Sequence, residues 1–580
     1  MKVCLAQINT TPGDFPGNAS AIRAGIDAAA DAGCAAVVYP ELTIPGYLSQ
    51  DLIYDARYVD RNLEELAALT EYARRYPHLA IVLGYIERNP GPGKPFFNMA
   101  AVIRGGERLL SYRKQLLPFY DVFDEGRYFE PGQEPGIVEI AGQRVGIAIC
   151  EDLWNDKGSD DYNYQDNPLA AYREAGVDVV FSLNSSPYVH GKGRRRLEVI
   201  APGSEGLDIV YVNQRGGQDE LVFDGQSFVL RDGDLLALDQ TVFDDSFNVV
   251  DLAAARPIVP AVAGDVTRVP ELPVDSLLVL CLRDYVRKSG FSELVLASSG
   301  GVDSAVVCQL AVEAVGARNV HAIRLPSVFS SEHSRDDALE LHKNLGCWDY
   351  EVPVNHRNVV SFLNNQFGVH DDPANLVFRK TEAGDYGGVA DENIQARLRD
   401  LYVMHFSNAF GAMPLSTGNK TESACGYYTH FDMNFSFAPI KDLYKFEVVD
   451  IARRSPAIPA NIWQKPPSAE LAEGQTDEAS LLPYAVLDPI VRAHVEDYVS
   501  THADFLGWAR RCLENNQRVT GDEAAFRAWL AGPSCEGDFT RILSVIGRME
   551  YKRRQTCPGV KVSNVAFGIG RRIPIVEKWS

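Results

Sequence analysis

Cys150 closes the apolar run GIAI in GIAICEDLW, Glu41 closes VVYP in VVYPELTIPGY, and Lys114 sits in YRKQLLPFYDVFDEGRYF. A thiol attacks well only as thiolate, so it needs a base or a cation beside it. A glutamate accepts the thiol proton, and a lysine steadies the oxyanion of a tetrahedral intermediate. Each residue also has a plainer use. A cysteine at a strand end is most often a packed core residue, Glu41 suits a helix start, and Lys114 suits an exposed face. Spacing alone does not bring three distant residues together.

A second stretch, Ser298-Ser299-Gly300-Gly301-Val302-Asp303-Ser304, stands between a short apolar strand and an apolar helix. Adjacent glycines let backbone amides converge on an anion, and the helix N-terminus adds a favourable dipole. The hydroxyls of Ser299 and Ser304 add donors. A Gly-Gly pair by itself marks only a turn; the strand–loop–helix setting points to phosphate. The pattern GxxxxGK[ST] is absent, so this is not a kinase or GTPase P-loop.

The words around the first three residues carry a resemblance. AQINTTPGDFPGN, PELTIPGY, YRKQLLPFYDVFDEGRYF, CEDLW and NSSPY, in that order over about the first 250 residues, resemble the nitrilase superfamily in its glutamine-amidohydrolase branch. The resemblance implies a four-layer α-β-β-α fold with Glu41 as base, Lys114 as stabiliser of the intermediate and Cys150 as nucleophile. Glu125 matches a second glutamate near that triad; a local partnership with Arg127 is its plainer reading. Tyr120, Ser186 and Lys192 match positions that hold the polar end of glutamine. The Arg194–Arg196 run that follows reads as a solvated basic face.

The SGGVDS loop resembles that of the ATP pyrophosphatase family. Further on, DENIQARLRD, STGNKTESACGYYTHFDM, APIKDLYK, KPPSAELAEGQTDE and EYKRRQTCPGVKVS resemble the NAD synthetase family of the glutamine-using type, over roughly residues 270–580. This resemblance implies that Ser298, Ser299, Gly300, Gly301, Val302, Asp303 and Ser304 hold ATP and then pyrophosphate. Asp303 is implied as a magnesium ligand and Glu422 as a second, beside deamido-NAD. Thr417 is implied at the adenosine of ATP, Lys445 and Ser468 at its phosphates, and Asn393, Arg397 and Lys552 at deamido-NAD. The run Lys552-Arg553-Arg554 reads as local positive charge for polyanions. One departure stands out: the family reads YGDM where this chain has His430-Phe431-Asp432-Met433-Asn434.

The implied reaction has two parts. Cys150 releases ammonia from glutamine; ATP adenylates deamido-NAD+, and ammonia converts the adenylate to NAD+ and AMP. A protected route for ammonia is expected, because ammonium does not attack. Magnesium is the implied cofactor and a homo-oligomer the implied assembly. A stand-alone amidase fused to a degenerate nucleotide-binding module is the alternative, and a ligase with another acceptor a third. The complete SGGVDS loop with Thr417 and Glu422 speaks against the alternative.

The elements that must position these groups follow a strand–helix alternation, which implies layered α/β domains. Expected strands are 2–8, 35–39, 81–85, 145–149 and 177–183, with a helix 20–32 opened by Asn18 or Ser20. Prolines crowd the stretch 251–273, so domains are expected at 1–255 and 275–580 around a linker 256–274. In the second domain a helix near 277–288 and strands 294–297, 320–325, 350–354 and 413–417 predict a Rossmann-like parallel sheet. Asn365–Asp391 is polar and Gly-rich, and is expected to be a mobile loop that acts as a lid. No repeat is evident. The chain has 580 residues with 56 Lys+Arg against 78 Asp+Glu, a formal charge of −22. So acidic a chain is a poor nucleic-acid partner. It shows no apolar run of the ~18–20 residues a membrane span needs and no signal-peptide core. Its 10 cysteines lack a CxxC pair, which predicts a reducing, cytoplasmic setting.

Overall fold

The computed structural model describes the chain apart from residues 155–163, 165, 257–269, 360–361, 363–388, 431–434, 469, 473–480 and 577–580. Most of the expected linker and lid therefore lies outside the described residues, as do Phe431 to Asn434. The chain divides into two compact units, Met1–Asp284 and Tyr285–Ser580. Among the described residues no helix is long and apolar enough to cross a membrane.

The first unit is built on two six-stranded sheets. One runs Ser246–Asp251, Lys2–Gln7, Ala36–Val38, Ala80–Arg88, Phe96–Arg104, Glu107–Arg113 in spatial order. The other runs Asp234–Leu238, Phe228–Arg231, Asp208–Asn213, Val179–Asn184, Gln143–Ile149, Gly136–Ile140. In each sheet the central pairs are parallel and the margins antiparallel. Val3, Leu5, Val38, Val82 and Val102 of one sheet share a core with Ile147, Phe181, Val210 and Val229 of the other. Those strands are apolar on both faces because helices cover the outsides. Phe15–Asp31 and Ala56–Tyr72 pack on the first sheet. On the second, Leu169, Tyr172, Leu197 and Ile200 pack against Val180, Ile209 and Phe228. This is the four-layer arrangement the resemblance implies.

The first helix corrects one expectation. It begins at Phe15, and its cap is Asp14, whose carboxylate accepts from Gly17 N at 3.0 Å. Pro16 in the first turn needs no N–H there, so Pro-Gly opens a helix instead of breaking one. Asn18 is buried inside it and donates to Thr11 O and Ile44 O.

The second unit holds a four-stranded sheet, Trp348–Glu351, Val320–Arg324, Leu294–Ala297, Met413–Pro414, with every pairing parallel. In chain order this is 3-2-1-4, so the direction of winding reverses beside Leu294–Ala297, where such sheets open a crevice. A helical layer closes the unit: Leu487, Ile490 and Val491 pack with Phe505, Trp508, Phe526, Phe539 and Ile542.

Candidate functional site

Gln143–Ile149, the strand beside the Gly136–Ile140 edge of its sheet, delivers Cys150 at its end, and a short turn, Cys150–Leu153, begins at once. Cys150 has φ 44°, the left-handed region that a side-chain-bearing residue enters at a cost of about 1–3 kcal/mol. The buried Asp152 secures this turn. It accepts from Ile149 N at 2.8 Å, from Leu116 N at 2.9 Å, from Gln115 N at 3.0 Å and from Tyr112 OH at 2.8 Å. One carboxylate thus ties the cysteine turn to the segment that follows Lys114. Burial lifts Asp152 to about 6, even with these donors pulling it down.

Lys114 and Glu41 side chains are fully buried, and the ammonium donates to Glu41 Oε1 at 2.7 Å. It also donates to Glu125 Oε2 at 2.8 Å and Oε1 at 2.9 Å. Asn98 Nδ2 donates to Glu41 Oε1 at 2.8 Å, while Glu41 Oε2 is buried with no hydrogen-bond partner. Gly84 permits this packing, since a Cβ there would lie 2.2 Å from Leu42 N, next to Glu41. Burial alone would depress the lysine, but Glu125 and Glu41 hold it well above its ordinary range. Burial pushes Glu125 up to about 7 against the pull of Lys114. Glu125 therefore sits on Lys114, and the Arg127 reading is not what the structure has: Arg127 donates to Asp51. Burial, then the Glu41 charge, push the Cys150 thiol well up, with Lys114 only partly offsetting them. This balance favours the protonated form of the Cys150 thiol.

Of the three positions expected at the glutamine end, Tyr120 and Lys192 reach the turn that carries Cys150, and Ser186 does not. Tyr120 OH donates to Glu151 Oε2 at 3.0 Å, and Tyr164 OH donates to Glu151 Oε1 at 2.9 Å. The Lys192 ammonium lies 4.3 Å from the centre of the Trp154 ring. Ser186 is buried and takes a bond from Arg196 to its carbonyl at 2.8 Å. Arg196 corrects the solvated-face reading of its run. Its side chain is 1% exposed and donates twice to Asp224, at 2.7 and 2.8 Å, whereas Arg194 and Arg195 are 39% and 47% exposed. Glu151, the residue after Cys150, is a carboxylate outside the residues expected at the site from the sequence; its place inside CEDLW is the available signal.

In the second unit Leu294–Ala297 feeds the loop and the helix Val302–Val315. Gly300 has φ +76°, and a Cβ there would meet Ser334 O at 2.2 Å, so conformation and contact both require glycine. Ser304 Oγ donates to Gly301 O at 3.0 Å and accepts from Ser299 N at 3.3 Å, which holds the loop open toward its helix. Ser298 is turned otherwise: its hydroxyl pairs with His342 Nε2 at 2.9 Å.

A cavity of about 900 Å³ opens at this loop. Ser298, Ser299, Gly301, Val302, Asp303, Ser304, Thr417, Glu422, Lys445, Ser468, Asn393 and Lys552 line it. Gly300 does not, and nor does Arg397, whose Nε donates to His430 O at 3.2 Å. Lys445 donates to Asp303 and, at 3.3 Å, to Glu422 Oε1. Asn419 joins the same two carboxylates. Its Nδ2 donates to Asp303 Oδ1 at 2.9 Å, and its side chain and Glu422 form a capping box on Lys420–Cys425. Asn419 was not singled out, although Asn followed three residues later by Glu is a readable helix-start signal. Among the described residues no group of three or more His, Cys, Asp or Glu is placed to hold a metal. Asp303 and Glu422 nonetheless suit magnesium, which takes one or two carboxylates with phosphate oxygens.

The Lys552-Arg553-Arg554 run is not one anionic-ligand surface. Lys552 Nζ donates to Gly426 O at 2.8 Å and Tyr428 O at 2.9 Å, and burial lowers its pKa. Arg553 is buried on Glu550 and on the carbonyls of Ala424 and Ile546.

Two family models match the chain: carbon-nitrogen hydrolase over residues 2–231 and NAD synthase over 275–507. A glutamine-dependent NAD(+) synthetase from Thermotoga maritima is 35% identical, covering 100% of this chain and 99% of that protein. One from Synechocystis is 34% identical with the same coverage. Among solved structures, the Acinetobacter baumannii glutamine-dependent NAD+ synthetase in complex with ADP matches with TM-score 0.70 at 30% identity, over 100% of this chain and 99% of that one.

Proposed function

Because the chain belongs to the glutamine-dependent NAD(+) synthetases, we propose that it makes NAD+ from deamido-NAD+, with glutamine as nitrogen donor and ATP as the driving substrate. The reading rests on one observation. A single chain holds both a buried Glu41–Lys114–Cys150 set and, in its other unit, the Ser298–Ser304 loop on a large cavity. The family likeness spans the whole chain, so the stand-alone amidase with a degenerate module has no support.

In the glutaminase half, residues 1–255, the partnerless Glu41 Oε2 takes the Cys150 proton as the sulfur attacks the side-chain amide of glutamine. Lys114, pinned by Glu41 and Glu125, meets the tetrahedral oxyanion with a fixed charge that needs no reorganisation. Ammonia leaves, and water then cleaves the γ-glutamyl thioester. Tyr120, Ser186 and Lys192 hold the amino-acid end of glutamine, and the buried Glu151 supplies a carboxylate for its amine.

In the synthetase half, residues 275–580, the amides and hydroxyls of Ser299 to Ser304 hold the ATP phosphates, and Thr417 meets the adenosine. Lys445 and Ser468 reach the phosphates. Asn393, Arg397 and Lys552 meet deamido-NAD+. Asp303 and Glu422 would hold magnesium, which supplies charge neutralisation on the phosphates. Lys445 already bridges those carboxylates and so carries positive charge to where the pyrophosphate leaves. The nicotinate carboxylate becomes an acyl-adenylate, and ammonia displaces AMP. All ten cysteines are free thiols, which supports a reducing, cytoplasmic setting; a homo-oligomer is proposed on the family resemblance.

The test is an assay with glutamine, MgATP and deamido-NAD+. NAD+, glutamate, AMP and pyrophosphate are expected together; no NAD+ would overturn the reading.

A further inference from the structure

Cys308 lies on the inner side of the helix Val302–Val315 that leaves the phosphate loop, and it is fully buried. Cys347 follows the left-handed Gly346 that ends the helix Glu332–Leu345, and it is partly exposed. Their sulfurs stand 3.9 Å apart. We propose that Cys308 and Cys347 form a modification site: an oxidant of the peroxide class closes them into an intramolecular disulfide, which slows the ATP-dependent half of the reaction until a thiol reopens it.

The two sulfurs are unlike, as the chemistry requires. The contact with Cys308 lowers the Cys347 pKa, while the same contact and burial raise that of Cys308. Cys347 is therefore the more acidic thiol of the two, and it is the one solvent reaches. Its sulfur attacks one oxygen of hydrogen peroxide, the O–O bond breaks, and hydroxide leaves a sulfenic acid. The Cys308 sulfur then attacks the sulfenic sulfur, the S–O bond breaks, and a second hydroxide leaves. The two thiol protons convert both hydroxides to water. One peroxide takes two electrons, and one disulfide and two waters result.

Closing the bond moves residues that touch the loop. A disulfide needs sulfurs at ~2.05 Å, so the pair must approach by nearly 2 Å. The buried helix of Cys308 is the fixed side, and the turn carrying Cys347 yields. That turn is flanked by His342 and Asp349. Arg324 donates to Asp349 at 2.7 and 2.8 Å, Asp349 pairs with His342 Nδ1 at 2.6 Å, and His342 Nε2 pairs with Ser298 Oγ at 2.9 Å. Burial keeps His342 neutral, so its single N–H serves Asp349 and its other nitrogen accepts from Ser298. Displacing Cys347 pulls on this chain, whose far end is the first residue of the phosphate loop.

The activity arm rests on the synthetase reading; the covalent arm does not. Full-length protein is treated with hydrogen peroxide and digested without reduction. A peptide joining Cys308 to Cys347 is expected, with loss of two hydrogens and reversal by dithiothreitol. NAD+ formation driven by ammonia, in which Cys150 takes no part, is expected to fall by up to about a hundredfold if the shift reaches the loop, and to recover on reduction. Cys347→Ser is expected to keep the reduced rate and lose the sensitivity. Absence of the joined peptide, or equal inhibition of Cys347→Ser, would overturn the proposal. No ammonia-driven NAD+ from reduced protein would sink the synthetase reading alone, and the joined peptide would still decide this one.

Discussion

Arg196 shows how much one residue type conceals. Three successive arginines are indistinguishable by composition, yet only the third points inward, where a bidentate bond to Asp224 and a bond to the Ser186 carbonyl satisfy it. Removing a partner from such a pair leaves the other charge buried and bare. Arg196→Ala is expected to destabilise the first unit by about 3–5 kcal/mol, read as a lower midpoint in urea unfolding, while Arg195→Ala leaves the midpoint nearly unchanged. The proposed catalytic trio follows the opposite rule. The types and flanking words of Glu41, Lys114 and Cys150 are legible, as is a second glutamate, Glu125, near them, whereas the two-oxygen seat of Glu125 on Lys114 and the clamp at Asp152 are not. Those depend on which oxygen faces which donor, and no spacing encodes that.

At the scale of elements, strands were more legible than helix starts. Leu294–Ala297 is bounded as expected because its apolar run stops at two serines. The first helix begins five residues before its expected start, because Pro-Gly resembles a turn until Asp14 is seen capping it. The helices around the cavity are joined by a group that no motif contains. Asp488, on Tyr484–Glu496, accepts from Thr421 Oγ1 at 2.5 Å and from Phe446 N at 3.0 Å, so it links three helices. Burial, with the nearby Glu447 adding to it, lifts Asp488 to about 7. A folded-state value above the unfolded one means that folding takes up a proton. The stability Asp488 contributes is complete below the ordinary Asp range and is lost as pH rises to about 7. Asn carries no charge to bury, and its amide oxygen can still accept from Phe446 N. Asp488→Asn is therefore expected to remove up to about 1.4 kcal/mol per pH unit of falling stability between about pH 4 and about pH 7. Stability of the variant that still falls as steeply with pH would contradict the assignment.

At the scale of the whole molecule, each unit carries one chemistry, and separate variants should separate them. Cys150→Ala is expected to abolish NAD+ formation from glutamine and retain it from ammonia; loss of both would refute the division. Asp303→Ala is expected to stop AMP production with either nitrogen source while glutamate release continues. The two-part plan is legible from the motif words, of which PELTIPGY, CEDLW and SGGVDS each lie where a strand hands over to a turn. The extent of the units was less so. The contact division falls inside the helix Val274–Lys288 and not in the Pro-rich stretch before it, because compactness follows packing while composition follows the chain.

Nine of the ten cysteines are buried, and Cys347 is the exception. That distribution makes the chain its own unfolding gauge. A bulky maleimide added to reduced native protein should label about one site rapidly, and the remaining labels should appear only as each core opens. Mass spectrometry of the labelled peptides would then time the opening of the sheet sandwich, through Cys4 and Cys34, separately from that of the helical layer, through Cys512 and Cys535.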